Sequence, residues 1–401
     1  MSELSFMEKL LGGVDIGWLP LGEVTKYEQP TKYLVKSKKY DDDFDTPVLT
    51  AGKTFILGYT DETEGINQAS INPVIIFDDF TTANKWVDFD FKAKSSAMKM
   101  ITSNDKEKFS LKYVYYWLNT LPTGLTEGDH KRQWISNYSN KSVPIPCPNN
   151  PEKSLEIQAE IVRILDAFTA MTAELTAELT AELSLRKKQY NYYRDKLLSF
   201  EEVEVEWKTL EHLCTSISAG GDVPKNSVKG QTHPTVEYPY PIYANAIEEK
   251  GLYGFTDDFK IDSDAVTISA RGAKVGYHAV REAKFTPIIR LIVLVANKKL
   301  ISTKYLNYVL DMSAIGGTDA GIPQLTVPMV KKITVPIPFP NDPDKSLAEQ
   351  ARIISILDKF NVLTTSVTEG LPREIELRQK QYEYYRDLLL SFPKPDTKKV
   401  A

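Results

Sequence analysis

The sequence is poor in the residues that most often carry chemistry. Its 401 residues hold two cysteines and four histidines. Cys147 and Cys214 are too far apart in sequence for metal-ligand spacing, so they read as reduced thiols of a cytoplasmic protein. His130, His212, His233 and His278 are scattered and read as ordinary surface or core residues. No run of about 18 apolar residues exists, which argues against a membrane span. The opening MSELSFMEKLLGG carries acids and lacks the cationic start and long apolar core of a secretory signal. A formal net charge of −5 argues against holding nucleic acid through bulk positive charge alone. There is no GxxxxGK phosphate loop, no GxGxxG after a strand, no HExxH and no GxSxG. An Asn/Asp-Pro-Pro-aromatic motif for amino-methyl transfer is missing too. Pro343-Asp344-Lys345 looks like a nuclease carboxylate–lysine pair, but Pro151-Glu152-Lys153 echoes it, so both read as helix entries. The chain is expected to bind and position, not to catalyse, and to need no cofactor of its own.

What the sequence does contain is written twice. VPIPCPNNPEKSLEIQAEIVRILDAF starts at Val143 and VPIPFPNDPDKSLAEQARIISILDKF at Val335. Further on, LRKKQYNYYRDKLLSF ends at Phe200 and LRQKQYEYYRDLLLSF at Phe392. The offset is 192 residues at both ends, and 34 of 58 positions are identical without a gap. A fainter echo joins Lys9-Leu10-Leu11 and VDIGW to Lys196-Leu197-Leu198 and VEVEW, so the chain opens on the tail of the repeated unit. That circular order predicts a pseudo-twofold body with its termini close together. The predicted segments are a helical start (1–13), a first globular block (14–145), a helix arm (146–202), a second globular block (203–336), a second arm (337–392) and a tail (393–401).

The proline-rich starts VPIPCP and VPIPFP must be extended, because each proline fixes its own φ and biases its predecessor away from helix. Ser154 and Ser346 are placed at the cap or in the first turn of the helices that follow. Ile157, Ile161, Ile164, Leu165 and Phe168 fall at helical spacing, as do Ile353, Ile354, Leu357 and Phe360. Leu183, Tyr190 and Leu197 recur every seven residues, a coiled-coil seam. Two long antiparallel helices packed on each other are expected. In the second arm, Gly370-Leu371-Pro372 should interrupt the helix, which would resume at Pro372.

The first arm contains TAEL three times, Thr172 to Leu183. Leu175, Leu179 and Leu183 form a stripe that drifts about 40° per copy, because four residues turn about 400°. Glu174, Glu178 and Glu182 form a like-charge row suited to solvent or a basic partner. Each copy adds about 6 Å of rod, so the array reads as a spacer. Tyr190 and Tyr193, with their counterparts Tyr382 and Tyr385, complete the expected spacer and partner-docking surface.

Each arm follows a block, and the two blocks are similar in length and unlike in sequence, each read as α+β: VIIFDDF and AVTISARG as strands, KFSLKYVYYWL and KYLNYVLDM as helices. PVLTAG and PIYANA, and Gly58-Tyr59-Thr60 and Gly254-Phe255-Thr256, are their shared landmarks. Lysine and arginine suit phosphates and guanine, and amides suit adenine. The candidate DNA contacts are therefore Lys36, Lys38, Lys39, Lys53, Asn84, Lys85, Trp86, Lys92 and Lys94 in the first block. In the second they are Asn245, Arg271, Lys274, Tyr277, His278 and Arg281.

The duplicated P-I-P…Q-A-x-I…I-L-D-x-F…K-Q-Y-x-Y-Y-R-D-x-L-L arms, flanking two divergent blocks, resemble specificity subunits of type I restriction–modification systems. The TAEL array is similar to that of the type IC subgroup. The resemblance spans the whole chain and implies an α+β fold with two globular recognition domains separated by two long antiparallel helices in a coiled coil. It implies that each domain reads half of a split, asymmetric site on double-stranded DNA. It further implies two methyltransferase subunits docked on the arms and restriction/translocase subunits beyond them. S-adenosylmethionine, ATP and Mg²⁺ would belong to those subunits. The alternative left open is a coiled-coil scaffold that binds proteins and no DNA.

Overall fold

The computed structural model describes residues 11–51, 54–122, 132–200, 203–245, 251–271, 275–313, 315, 324–365 and 370–392. The chain forms two compact units, Met1–Glu178 with Ile375–Ala401, and Leu179–Glu374.

Among its described residues the first unit holds nine strands: β1 (Ile16–Pro20), β2 (Thr25–Glu28), β3 (Thr46–Leu49), β4 (Ile56–Thr60), β5 (Val74–Asp78), β6 (Asn84–Val87), β7 (Lys92–Ala93), β8 (Met98–Ser103) and β9 (Ser142–Pro146). Helix α1 (Leu111–Leu118) follows β8, and Ser110 caps it by accepting from Tyr113 N. One sheet runs β2-β8-β5-β6 and a smaller one β4-β3-β7, with β3 and β7 parallel. β5 is VIIFD, buried at every position, as a strand covered on both faces requires. The predicted extended segment Val143–Pro146 is more than a connector: it pairs antiparallel with β1, Trp18 opposite Pro144. Its prolines are tolerated because the pair is only two strands wide.

Helix α2 (Pro151–Ser199) runs for 49 residues. Asn150 caps it, accepting from Lys153 N at 3.1 Å, and Pro151 opens it. Ser154 therefore lies in the first turn, buried, and accepts from Gln158 Nε2. Ile157, Ile161 and Leu165 are buried in one core with Leu21, Ile75, Tyr113 and Trp134. Leu389, Leu390 and Phe392 enter that same core, and Leu11 and Val14 pack on it. The two ends of the repeat order thus meet in the first unit, as the circular pattern predicts.

The second unit repeats this plan with β10 (Val205–Thr209), β11 (Cys214–Ala219), β12 (Ser227–Lys229), β13 (Tyr240–Tyr243), β14 (Leu252–Thr256), β15 (Ala265–Ile268), β16 (His278–Arg281), β17 (Thr286–Pro287), β18 (Ile292–Ala296) and β19 (Thr334–Pro338). Its sheets run β11-β18-β15-β16 and β12-β14-β13-β17, with β13 and β17 parallel. Only β12 has no strand counterpart among the described residues of the first unit. The shared landmarks hold: PVLTAG and PIYANA begin at the second residue of β3 and β13, and the two Gly-aromatic-Thr triplets close β4 and β14. Gly254 is required here, because a Cβ would lie 2.0 Å from the Val228 carbonyl oxygen of β12.

Helix α3 (Thr303–Leu310) sits 192 residues after α1 and is capped identically, by Ser302. Helix α4 (Pro343–Thr365) and helix α5 (Leu371–Leu389) form the second arm, and the predicted break lies between them. α5 begins one residue before Pro372, with Arg373 N and Glu374 N bonded to the Gly370 carbonyl. Within the first unit the arms run antiparallel, with Phe168 against Tyr385 and Thr169 bonded to Tyr382. Within the second, Tyr193 stacks on Phe360 while Ile353 and Leu357 share a core with Leu198 and Phe200.

Candidate DNA-reading surfaces

The candidate residues of the first block divide by what they touch. Lys36, Lys38 and Lys39 are exposed on one loop. That loop is pinned from below. Glu62 Oε1 accepts from the backbone N–H of Lys36 at 2.8 Å and of Ser37 at 2.7 Å. The other carboxylate oxygen, Glu62 Oε2, meets Lys92 Nζ at 2.9 Å. Lys92 is buried, and its ammonium also donates to the Glu64 carbonyl. Its expected role as a DNA contact is therefore corrected: its charge is neutralised inside the fold, because a buried ammonium must be paired. Lys94, also on the exit of β7, donates to Tyr40 Oη at 2.8 Å and lies over that ring. Two of the candidate cations thus hold the loop that presents three others.

Asn84, Lys85 and Trp86 lie on β6, the edge of the four-stranded sheet. Lys85 is exposed. Asn84 Oδ1 accepts from Asn119 at the end of α1, and Trp86 packs near Tyr115 and under Lys112. Trp86 Nε1 donates to Asp88. Asn84 and Trp86 therefore brace α1 as well as edging the sheet. Lys53 lies outside the described residues.

In the second block, Asn245 and Arg271 line one recess with Gly220, Asp222, Arg290 and Gln324. Asn245 is an anchor of that recess: its amide donates to the Ile289 carbonyl at 2.9 Å and its oxygen accepts from Ala270 N at 3.1 Å. These bonds fix the orientation of the side chain and leave one amide N–H and one oxygen lone pair over. Arg271 and Arg290 are exposed. Ile289 and Arg290 both have positive φ, 51° and 59°. Two consecutive left-handed residues, one β-branched, store backbone strain of the kind found at ligand sites. Gly220 permits the close approach, since a Cβ there would lie 2.8 Å from Ile288 N. Arg290 and Gln324 were not singled out from sequence. The Gly220-Gly221 pair was the available signal; no residue type near Ile289-Arg290 advertises the turn.

Arg281 lies elsewhere. Its guanidinium stacks 4.0 Å from the Tyr243 ring centre and lines a second recess with Gln231, Thr232 and His233. His278 is held between Asn307 at 3.0 Å and Asp311 at 3.4 Å, both from the α3 region, and serves packing. Tyr277 is half-buried, its carbonyl accepting from Ser269 N. Lys274 lies outside the described residues.

On the arms, Glu174 and Glu178 are exposed, and Glu182 is paired with Arg186 at 2.7 Å. Leu175, Leu179 and Leu183 are half-buried, the stripe expected of them. Tyr190 and Tyr382 are half-buried, Tyr193 and Tyr385 more exposed. Among the described residues, no cluster of His, Cys, Asp and Glu suits a metal ion, and no helix is long and apolar enough to cross a membrane.

A family model described as the type I restriction modification DNA specificity domain matches residues 15–185 and again 202–377. The chain is 56% identical over 412 residues to the EcoR124I/EcoR124II type I restriction enzyme specificity subunit of Escherichia coli, covering 99% of both. It is 32% identical over 416 residues to a putative type I restriction enzyme specificity subunit of Haemophilus influenzae, covering 97% of this chain and 98% of that one. The crystal structure of the S subunit of a type I restriction–modification system from M. genitalium has the same fold, with a TM-score of 0.53 at 15% identity over 95% of this chain and 98% of that one. The chain belongs to the type I restriction–modification DNA specificity family.

Proposed function

We propose that this chain is the DNA sequence-specificity subunit of a type I restriction–modification complex. Each unit's sheet block reads one half of a bipartite, asymmetric site on double-stranded DNA. The helical arms set the unread gap and dock two methyltransferase subunits, with restriction/translocase subunits beyond. S-adenosylmethionine, ATP and Mg²⁺ act on those subunits, and this chain contributes recognition and not the chemical step.

One observation carries the reading. The two units share a frame nearly contact for contact, yet present different surfaces, a lysine loop at 36–39 in one and an arginine recess at 271 and 290 in the other. Equal frames with unequal faces suit two readers of two different sequences. Exposed lysines on a pinned loop suit phosphates, and arginines at a strained rim suit base edges. With a net charge of −5, the chain alone should bind DNA weakly and the assembled complex strongly and in a salt-dependent way.

The test is to express the chain with its methyltransferase and map methylated adenines across a host genome. A split motif with a fixed gap is expected, and exchanging residues 203–336 for another block should change one half only. Methylation without a split motif, or an assembled complex that shows no salt-dependent retention on DNA, overturns the proposal.

A further inference from the structure

Beside the buried glutamines Gln158 and Gln350, a charged contact joins block to arm in the same way in both units. In the first, Asp166 of α2 takes both donors from α1: Tyr116 Oη on Oδ1 at 2.5 Å and Lys112 Nζ on Oδ2 at 3.0 Å. In the second, Asp358 of α4 takes Tyr308 Oη on Oδ1 and Lys304 Nζ on Oδ2 from α3, each at 2.6 Å. The tyrosines are buried and the carboxylates stand at the solvent edge. Burial first, and the carboxylate bond next, raise both phenols well above their ordinary range, so they remain donors at any working pH.

We infer that Asp166 and Asp358 are positioning residues: each latches its recognition block to the arm at a fixed angle, and so makes the gap between half-sites discriminating. The inference rests on the reading that the arms set that gap. Three observations support it. The latch residues Lys112 and Tyr116 recur as Lys304 and Tyr308 inside blocks that otherwise diverge, so they serve the shared frame and not either target. The core between α1 and α2 is apolar, and apolar packing is non-directional. A carboxylate that accepts on both oxygens from two successive turns fixes rotation as well as distance. The two carboxylates lie at the solvent edge, away from the deepest polar contact of arm and block. The deep clamp is Gln158, fully buried and bonded to Ser110 N and the Lys108 carbonyl. In the first unit the latch extends further: Tyr116 also meets Thr169, which donates to Tyr382 of α5.

The experiment uses the chain assembled with its methyltransferase subunits. Methyl transfer is measured on duplexes carrying the native gap and a gap one base pair longer, and the two kcat/KM values are expressed as a ratio. Tyr116→Phe, Asp166→Asn, Tyr308→Phe and Asp358→Asn are each expected to lower that ratio about ten-fold, the scale of one charged hydrogen bond, while half-site sequence preference stays unchanged. Tyr113→Phe is the control: it removes a buried bond to the Pro144 carbonyl within the block and should lower thermal stability without moving the ratio. An unchanged ratio in all four latch variants, or an equal fall in the control, overturns the latch. A wild-type complex that methylates both gaps alike overturns the spacing reading itself and the latch with it.

Discussion

Phe168 of α2 and Tyr385 of α5 meet with ring centroids 5.7 Å apart, and 192 residues away the same pair recurs with its order reversed, Tyr193 of α2 on Phe360 of α4 at 5.5 Å. The phenylalanine comes from the early part of each repeat and the tyrosine from the late part. Each unit therefore pairs the start of one copy with the end of the other, which is how a circular repeat order closes. Phe168→Ala and Phe360→Ala should each destabilise the unit that contains them by about 2 kcal/mol, the loss of a half-buried ring and its aromatic partner. Thermal unfolding checks this; a silent variant would mean that ring does not hold its helix pair.

Gln158 and Gln350 are fully buried and make matching bonds, to Ser110 N and Lys108 O in one unit and to Ser302 N and Leu300 O in the other, each backed by a buried serine. Gln158→Leu or Gln350→Leu keeps the volume and leaves a buried N–H and C=O without partners. A cost of about 2–4 kcal/mol is expected for each, read from urea unfolding monitored by near-UV circular dichroism. A cost below about 1 kcal/mol at either site would show that water replaces the amide there.

The frame was legible in the sequence because it is written twice. An offset of 192 located the arms and their antiparallel pairing without any structure, and placed Ser154 and Ser346 at the helix starts, although the caps are Asn150 and Asp342. The repeat in fact reaches further back: Ser110, Lys112, Tyr113, Tyr116 and Leu118 recur as Ser302, Lys304, Tyr305, Tyr308 and Leu310. That echo is spread thinly at helical spacing inside blocks that otherwise disagree, so a search for contiguous matches passes over it. The reading surfaces were less legible. Lys92 and Lys94 differ in environment by a single strand of two residues, too short for alternation to say which faces the core. The rim at Ile289-Arg290 depends on left-handed backbone at residues that rarely adopt it, which only the three-dimensional close approach of Gly220 reveals.

Glu62 links stability to pH. Burial pushes its carboxyl up, but the Ser37 N–H, the Lys92 ammonium and the Lys36 N–H outweigh this and hold it below its ordinary 4.5. A depressed carboxyl contributes stability that is fully present above the unfolded value and is lost as pH falls through the folded one. The first unit should therefore weaken below about pH 4.5, and Glu62→Gln should abolish that part of the acid sensitivity. The same substitution leaves Lys92 buried without its counter-charge and should cost about 3 kcal/mol at neutral pH. Glu62→Ala would in addition remove the acceptor of the Lys36 and Ser37 N–H groups and free the loop of Lys36, Lys38 and Lys39, so DNA affinity of the assembled complex should drop with it. Unchanged thermal stability at pH 7 would sink this account.

Cys214 opens β11 and packs against the core of the second unit. Burial pushes its thiol up to about 12. At pH 8 only about one molecule in ten thousand then carries the thiolate that attacks an alkylating reagent. Iodoacetamide at pH 8 should leave Cys214 unmodified in the folded chain and label it in urea. Rapid labelling of Cys214 in the native state, seen by mass spectrometry of the digest, would contradict the packing described.

Removing one TAEL copy, Thr176 to Leu179, tests the spacer reading through rotation as well as length. Four residues advance a helix by about 6 Å and turn it about 400°, a net 40°. One base pair advances DNA by about 3.4 Å and turns it by about 34–36°. The rotation of one copy therefore matches one base pair, whereas its length lies nearer to two. Rotation should decide, because a reader turned away from its groove makes no contact at any distance. A mismatch of about 3 Å can be shared between elastic DNA and the break at Gly370. The expected outcome is a methylated gap one base pair shorter, with both half-sites unchanged. Deleting only Thr176, Ala177 and Glu178 turns the helix about 300°, leaving the reader about 60° out in the other direction; only a gap about two base pairs longer restores that phase, and the rod is then shorter where the DNA is longer, so methylation should fail at every gap. If that three-residue deletion methylates as well as the four-residue one, helical phase does not govern the gap, and α2 is a tether in place of a ruler.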